Sequence, residues 1–207
     1  MDAEKFWDNT AEKYAKSPIG NEEVYREKLE ATQKYLNVES EVLELGCGTG
    51  TTSIHHAPLV KHILATDISN SMLDVGRSRA SEAGIENVTF QQSTVEKLEA
   101  EPSSFDVVLA LNILHLIEDP AAAVNKVSIL LKPGGVFVTG TPCLGDVLIN
   151  YYRILIPLMR LLGKAPPVHY VKRSGLEGYF AGAGLEIDFQ RPPAKGEAAF
   201  IIVKKPI

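Results

Sequence analysis

The chain has 207 residues, which is enough for one domain with a full three-layer core. Apolar residues make up 45% of it and charged residues 23%, as in an ordinary soluble globular protein. With a net charge of −5 at pH 7 the chain gains nothing from counterion release, so a nucleic-acid partner is not expected.

The two cysteines, Cys47 and Cys143, lie far apart in the sequence and lack the spacing of metal ligands. This cysteine usage favours a reducing compartment. The first residues are charged rather than apolar, so no secretory signal is expected. We therefore expect a cytoplasmic protein without a metal site.

Two helices are predicted over residues 4–36, with an interruption at 17–20. Beyond residue 40, short apolar runs alternate with amphipathic stretches, which is typical of βα units around a parallel sheet. Five strands are predicted at 42–45, 62–66, 88–91, 105–111 and 136–139. Helices are predicted from residue 51, after an N-cap at Ser69, over 95–98 and over 120–131.

Two further strands are predicted at 185–189 and 198–203. The turn-rich connection at 191–196 is far too short for a parallel crossover, so these two strands must pair antiparallel. The predicted fold is therefore α/β: a Rossmann-like three-layer sandwich with a seven-stranded, mostly parallel sheet and an antiparallel C-terminal strand.

The turn after the first strand is rich in glycine and is preceded by an acidic residue, Glu44. Gly46, Gly48 and Gly50 allow a ligand to approach the backbone beside the free amides of a helix N-terminus. A dinucleotide fingerprint needs its last glycine at the position of Thr51, so the spacing disfavours a nicotinamide cofactor. A tight turn without a ligand is the alternative interpretation.

A second carboxylate, Asp67, ends the second strand 21 positions after Gly46. At that place a carboxylate can accept hydrogen bonds from both hydroxyls of a ribose. Nicotinamide enzymes share this contact, so Asp67 indicates a ribosyl cofactor without identifying it. A structural aspartate in the turn is the alternative.

Two more motifs follow in the fourth and fifth strands, at 105–110 and 131–135. Together with the glycine loop and Asp67, this ordered set resembles class I S-adenosylmethionine-dependent methyltransferases. The nearest group is that of the ubiquinone/menaquinone-biosynthesis-like small-molecule methyltransferases, whose N-terminal segment residues 6–14 also resemble.

The resemblance implies S-adenosylmethionine as the cofactor, S-adenosylhomocysteine as the product, and no metal. It assigns these residues to cofactor binding: Tyr14, Glu44, Gly46, Gly48, Gly50, Asp67, Ile68, Met72, Thr94, Val95 and Leu111. The family usually has Gly-Asp in the loop after the third strand, where this chain has Ser93 and Thr94. The Thr94 hydroxyl would then replace a carboxylate as the acceptor for the adenine amino group. For Met72 and Tyr14, ordinary packing is the alternative.

Methyl transfer requires alignment and the exclusion of water rather than a protein nucleophile. His115 follows the fourth strand at the ligand-binding edge of the sheet and is the candidate catalytic residue, since a neutral imidazole can take a proton from an acceptor hydroxyl. Packing or a backbone hydrogen bond is the alternative. His169 is a weaker candidate, and His55, His56 and His62 are expected at the surface.

Residues 147–162 are almost wholly apolar, but the run is too short and too rich in arginine to span a bilayer. Three interpretations are open: a lid over the acceptor, a helix that lies in a membrane interface, or a contact within a dimer or the core. We favour the lid, which predicts a hydrophobic or aromatic small-molecule acceptor. The expected division of this single domain is a helical cap (1–39), a cofactor-binding core (40–140), the inserted lid (144–173) and a C-terminal helix and hairpin (174–207).

Other functions compete with this one. Amino-directed nucleic-acid methyltransferases usually carry an Asn/Asp-Pro-Pro-aromatic motif after the fourth strand, whereas this chain has Asn112 followed by Ile113. Protein methylation has no support in the sequence, and a nicotinamide dehydrogenase is disfavoured. A non-catalytic S-adenosylmethionine-binding module would have the same motifs. The acceptor, its reacting atom, the pathway and the oligomeric state stay open.

Overall fold

The computed structural model describes residues 2–146, 152–161, 163–191 and 198–207, with the side chains of 152–154 left aside. The helices of this part are α1 (Ala3–Ala15), α2 (Glu22–Gln33), α3 (Thr51–His56), α4 (Asn70–Glu82), α5 (Pro120–Leu130), α6 (Tyr152–Leu161) and α7 (Arg173–Gly182). The strands are β1 (Glu41–Leu45), β2 (His62–Asp67), β3 (Val88–Gln92), β4 (Phe105–Leu111), β5 (Leu131–Thr141), β6 (Glu186–Gln190) and β7 (Ala199–Lys204).

The strands form a seven-stranded sheet in the order β3-β2-β1-β4-β5-β7-β6. β1 to β5 run parallel, and β7 pairs antiparallel with both β5 and β6. The predicted fold class is confirmed, including the antiparallel pairing of the last two strands. The strand order reverses between β1 and β4, which creates the crevice where open α/β sheets bind ligands.

Each face of the sheet has its own apolar core, because successive strand residues point to opposite faces. On one face, Leu43 and Val108 join a cluster with α5 and α7, in which the rings of Phe137 and Phe180 pack edge to face. On the other face, Val42 and its neighbours pack beneath α2, α4 and the turn after α3, which contributes Ala57 and Val60. The result is the three-layer arrangement expected from the sequence.

Two local predictions are wrong. The helix predicted over 95–98 is a single turn, closed by a 2.9 Å bond from the Leu98 N–H to the Thr94 carbonyl oxygen. Helical backbone is disfavoured only further on, at Glu101, which precedes Pro102. β5 also begins five residues earlier than predicted, at Leu131, because the glycine-rich turn forms an irregular stretch within its pairing to β4.

His56 is the third error, since it is buried rather than exposed. It lies on the face of α3 that also buries Ser53 and Ala57, at the spacing of one helix face. Both ring nitrogens lack a hydrogen-bond partner within the described residues. Burial, and then the neighbouring His55, lower the pKa of His56 to about 4.

The two ends of the inserted segment are joined at its base. The Gly145 N–H donates to the Val171 carbonyl oxygen at 2.9 Å, and the Arg173 N–H donates to Asp146 Oδ2 at 2.9 Å. Of the apolar run predicted at 147–162, residues 147–151 and 162 lie outside the described part, as do 192–197 of the last connection. Among the described residues, no helix is long and apolar enough to span a membrane.

Candidate active site

A cavity of about 310 Å³ opens at the carboxyl ends of β1, β2 and β4, at the reversal in strand order. Its wall consists of the glycine loop, the end of β2 with the start of α4, the loops after β3 and β4, and α1. Of the residues assigned from the sequence, these line it: Tyr14, Gly46, Gly48, Asp67, Ile68, Met72, Thr94, Val95 and Leu111. Glu44, Gly50 and His115 are not among the lining residues.

All three glycines of the loop, Gly46, Gly48 and Gly50, have left-handed backbones, but Gly48 and Gly50 have different surroundings. Gly48 (φ +54°) faces open space, and a Cβ there would meet only the Tyr14 ring at 3.8 Å. At Gly50 (φ +71°) a Cβ would lie 2.7 Å from Cε1 of Phe90 and 3.4 Å from Cα of Gly76. Gly48 therefore leaves room for a ligand, whereas Gly50 allows α3 to approach α4 and β3.

Asp67 lies at the end of β2 with only 9% of its surface exposed. Its Oδ2 accepts from the Gly48 N–H at 2.8 Å and its Oδ1 from the Ser69 N–H at 2.9 Å. Burial raises the pKa of this carboxyl, and the backbone hydrogen bonds act in the opposite direction. Each oxygen keeps a second lone pair, so the carboxylate can still accept from two hydroxyls.

Glu44 is buried beneath the glycine loop, 3% exposed, and does not reach the cavity surface. Its Oε2 accepts a short hydrogen bond from the Ser53 hydroxyl on α3. Burial raises the pKa of Glu44 to about 7, and the charge of Asp67 acts in the same direction. Because its pKa is near neutrality, this carboxyl readily loses its proton when a cation binds above it.

The opposite end of the cavity is apolar. Met72 is 2% exposed and Val95 8% exposed, and both contribute to the wall with Ile68 and Leu111. Thr94 Oγ1 already accepts the Lys97 N–H at 3.2 Å. A flat aromatic ring suits this slot, and the hydroxyl of Thr94 keeps a donor and a lone pair for its edge.

α1 contributes a wall that the sequence argument largely missed. Ala3, Trp7 and Tyr14 line the cavity, and their spacing of four and seven residues places them on one face of the helix. The rings of Trp7 and Tyr14 pack edge to face with centroids 6.2 Å apart. This periodicity was the available signal, but it could not show which surface the helix covers.

The loop after β4 supplies further residues that were not predicted. Asn112 has φ +60°, and its N–H donates to the Gly140 carbonyl oxygen at 2.6 Å, so its side chain is fixed at the cavity edge. Glu118 lines the cavity from the same loop, and Glu96 does so from the loop after β3. Among the described lining residues, the charged side chains are Asp67 and these two glutamates.

His115 lies behind this wall, in the 3-10 turn Leu114–Leu116. Its carbonyl oxygen accepts from the His169 N–H at 2.7 Å, which attaches the inserted segment to this loop. Burial, and then His169, lower the pKa of His115 to about 4, and Nδ1 has no partner among the described residues. Its catalytic role stays a prediction.

The sheet order and the cavity at its reversal point place the chain in the Rossmann-like α/β class. Within that class, the family model described as a methyltransferase domain matches residues 36–160. The chain therefore belongs to the methyltransferase domain family, which confirms the resemblance found in the sequence. Within the described ranges, no group of three or more His, Cys, Asp or Glu side chains is placed to hold a metal ion.

Curated relatives share part of the chain. A methyltransferase named YcgJ from Bacillus subtilis is 37% identical over 100 residues, 48% of this chain and 40% of that protein. A ubiquinone biosynthesis O-methyltransferase from Xanthomonas euvesicatoria is 32% identical over 155 residues, 71% of this chain and 63% of that protein. The chain thus spans between two fifths and about three fifths of the length of these relatives.

Solved structures share the fold over most of the chain. The crystal structure of Bacillus subtilis YcgJ gives a TM-score of 0.72 at 21% identity, covering 88% of this chain and 99% of that one. An S-adenosylmethionine-dependent methyltransferase from Mesorhizobium loti gives 0.72 at 19% identity, covering 86% and 95%. At these identities the likeness shows the fold.

Proposed function

We propose that the protein is an S-adenosylmethionine-dependent methyltransferase that acts on a small apolar or aromatic molecule. The observation that carries this proposal is the cavity at the strand reversal, which combines an open glycine at Gly48 with the Asp67 carboxylate and an apolar slot. Membership of the methyltransferase domain family supports the same reaction class.

The residues present fit this cofactor. Asp67 offers lone pairs to a ribose diol, and the space above Gly48 would be filled by any side chain at that position. Asp67 supplies negative charge beside the glycine loop, and Glu44, whose pKa is raised to about 7, can release its proton when an ammonium group binds above it. The cavity volume of about 310 Å³ lies at the lower end of the range for small-molecule sites.

S-adenosylmethionine supplies a methyl group on a cationic sulfur, which a nucleophile displaces in line. The protein's contribution is to align the acceptor and to exclude water. Trp7 and Tyr14 close one side of the cavity, and Asn112 and Ile113 form its floor at the end of β4. No side chain needs to act as a nucleophile.

For the acceptor, we retain His115 as the candidate proton acceptor, with Glu118 as a carboxylate that reaches the cavity itself. The lowered pKa of His115 leaves the imidazole uncharged at neutral pH, and it also makes His115 a weaker proton acceptor than an ordinary histidine. The hydrogen bond from the His169 N–H to the His115 carbonyl oxygen attaches the inserted segment to this loop, which supports the proposed role of residues 144–173 as a lid. On α6, Leu158 is 54% exposed and Leu161 86% exposed, which gives this lid an apolar surface.

An apolar acceptor agrees with the Xanthomonas relative, which is a ubiquinone biosynthesis O-methyltransferase. The same exposed leucines would also suit a membrane interface or a second copy of the chain. Sedimentation with and without lipid vesicles distinguishes these two partners, because the first binds the vesicles and the second forms a dimer without them. We assign the protein to the cytoplasm on its free cysteines, Cys47 and Cys143. The helical cap 1–39, the core 40–140 and the C-terminal part 174–207 complete the proposed domain.

The first test is calorimetric titration with S-adenosylmethionine, S-adenosylhomocysteine and NADH. We expect the two sulfur compounds to bind and NADH not to bind. Asp67→Ala should abolish binding, whereas the matched control Asp74→Ala, on the exposed side of α4, should retain it. If neither sulfur compound binds the wild-type protein, the proposed function is wrong.

Turnover distinguishes an enzyme from a non-catalytic binding module. Transfer of labelled methyl groups should be measured with a panel of phenols and quinols, each paired with an analogue that carries a carboxylate. Uncharged members should react and their anionic analogues should not. Cofactor binding without transfer to any neutral acceptor would favour the binding module.

A further inference from the structure

We propose that Arg79 is a positioning residue that holds α1 against the glycine loop and thereby places the cavity wall formed by Trp7 and Tyr14. The contacts stand on the structure alone. Their consequence for cofactor affinity rests on the proposed function.

The Arg79 guanidinium joins three elements that are distant in sequence. From α4, its Nη1 donates to Oγ1 of Thr49 in the glycine loop at 2.9 Å and to Oγ1 of Thr51, the first residue of α3, at 3.1 Å. Its Nη2 donates to the carbonyl oxygen of Ala15, the last residue of α1, at 2.7 Å. Only the forked guanidinium presents donors in this geometry, since lysine concentrates its donors on one nitrogen.

The contact with Ala15 is well suited to hold a helix end. The last four carbonyls of a helix lack intrahelical partners and carry partial negative charge, which a cationic donor satisfies. Lys16 and the rest of the connection to α2, residues 16–21, are exposed. Arg79 is therefore the side chain that restrains the end of α1, just before the exposed connection to α2.

The other hydrogen bonds that hold α1 to the rest of the fold lie nearer its start. Asp8 Oδ1 accepts from the Ser69 hydroxyl at 2.6 Å and from the Ser71 N–H at 3.2 Å, and Gln92 donates to Glu4 at 3.1 Å. Without Arg79, α1 would remain attached at these points and lose its hold at the end that carries Tyr14. The Tyr14 ring is the group beside the open face of Gly48, so this loss alters the ligand site directly.

Arg79 also couples the position of α1 to that of the glycine loop energetically. Because one guanidinium contacts both the glycine loop and α1, a ligand that orders the loop favours the attached position of α1, and the reverse holds by thermodynamic reciprocity. Removing the link should weaken cofactor binding without removing any residue that touches the cofactor.

The chain offers a direct reporter and a matched control. Trp7 is the single tryptophan, and its ring packs edge to face on the Tyr14 ring with centroids 6.2 Å apart. It lies near the attached part of α1, but a displaced Tyr14 would uncover its ring, so Trp7 reports the loosening of the end of α1. Arg77 lies two positions from Arg79 on the same helix, and donates to Asp74 at 2.6 Å and to the Phe90 carbonyl oxygen at 3.1 Å, so it contacts neither the glycine loop nor α1. Arg77→Gln therefore controls for the loss of a cation from α4.

The experiment measures acrylamide quenching of Trp7 in the ligand-free protein and calorimetric binding of S-adenosylhomocysteine for wild type, Arg79→Gln, Arg79→Lys and Arg77→Gln. We expect Arg79→Gln to increase quenching, to shift the Trp7 emission to longer wavelength, and to weaken binding about tenfold, as befits loss of charge-assisted hydrogen bonds. Arg79→Lys should fall between Arg79→Gln and wild type in both readouts, and Arg77→Gln should match wild type.

Unchanged quenching in Arg79→Gln would overturn the proposal, and so would an equal increase in Arg77→Gln, which would indicate general loosening of α4. Urea unfolding shows whether Arg79→Gln is folded. If it is not, the proposal is tested by Trp7 quenching and ligand binding in Arg79→Lys. If Arg79→Gln exposes Trp7 while the wild-type protein binds neither sulfur compound, the positioning role of Arg79 stands and the proposed function fails.

Discussion

Replacing Glu44 with glutamine is expected to stabilise the ligand-free protein increasingly as the pH rises from 4.5 to 7. Glu44 is 3% exposed, and its burial raises its pKa from 4.5 to about 7. A shift of that size corresponds to ~3 kcal/mol, at ~1.4 kcal/mol for each pKa unit. Glutamine keeps an acceptor for the Ser53 hydroxyl but does not ionise.

The sign follows from proton binding in the two states. Between pH 4.5 and 7 the unfolded chain has released the Glu44 proton while the folded protein still holds it. The folded state therefore binds more protons, so the stabilising contribution of Glu44 is complete below pH 4.5 and is lost as the pH rises through about 7. The stability difference between Glu44→Gln and wild type should grow over this window and level off above it.

Urea unfolding of the ligand-free protein at a series of pH values measures this difference. Glu39→Gln, in the exposed turn before β1, is the matched control and should show no such trend. A difference between Glu44→Gln and wild type that stays constant from pH 4.5 to 8 would refute the reasoning, because it would mean that burial does not hold a proton on Glu44.

Two further predictions concern the glycine loop and the buried histidine. Gly48→Ala should weaken cofactor binding and cost about 1–2 kcal/mol of folding stability through its left-handed backbone. Gly50→Ala should cost more, roughly 2–4 kcal/mol, because its added Cβ also collides with Phe90. Gly20→Ala, with no atom within 4 Å of the added Cβ, is the control for urea unfolding. His56→Leu should reduce the loss of unfolding free energy at acid pH by up to ~3 kcal/mol. In the wild type, the unfolded chain protonates His56 below its ordinary pKa, whereas the folded protein keeps His56 neutral until the pH reaches its lowered pKa of about 4, so acid favours unfolding. Thermal unfolding at pH 4.5 and 7.5 tests this, and an equal pH dependence in His56→Leu and wild type would contradict it.

The strands whose hydrophobic pattern was unbroken could be predicted from the sequence. β4, predicted at 105–111, has those bounds because its apolar run is buried on both faces. The start of β5 could not be predicted, since a Pro-Gly-Gly sequence normally ends regular structure, and only pairing with β4 keeps it in the sheet. Tertiary contacts override the local preference there.

The site could be predicted from the sequence where its residues lie at the ends of neighbouring strands. Gly48 and Asp67 follow the ends of adjacent parallel strands, so their meeting at one edge of the sheet was implied by the fold. The same reasoning could not separate Gly48 from Gly50, because the reason for a glycine at position 50 is Phe90, forty positions later. Trp7 likewise enters the site through long-range packing of α1.

The charge of the cavity bears on the proposed acceptor independently of the exposed leucines of α6. Among the described residues that line it, the charged side chains are Asp67, Glu96 and Glu118, and no lysine or arginine lines it. Such a field attracts the cationic S-adenosylmethionine more than its uncharged product, which favours exchange after transfer, and it repels an acceptor with a carboxylate or phosphate. Under the proposed function, this lining suits an uncharged hydroxyl compound as the acceptor, and Glu118, which lines the cavity, is a candidate to accept its proton.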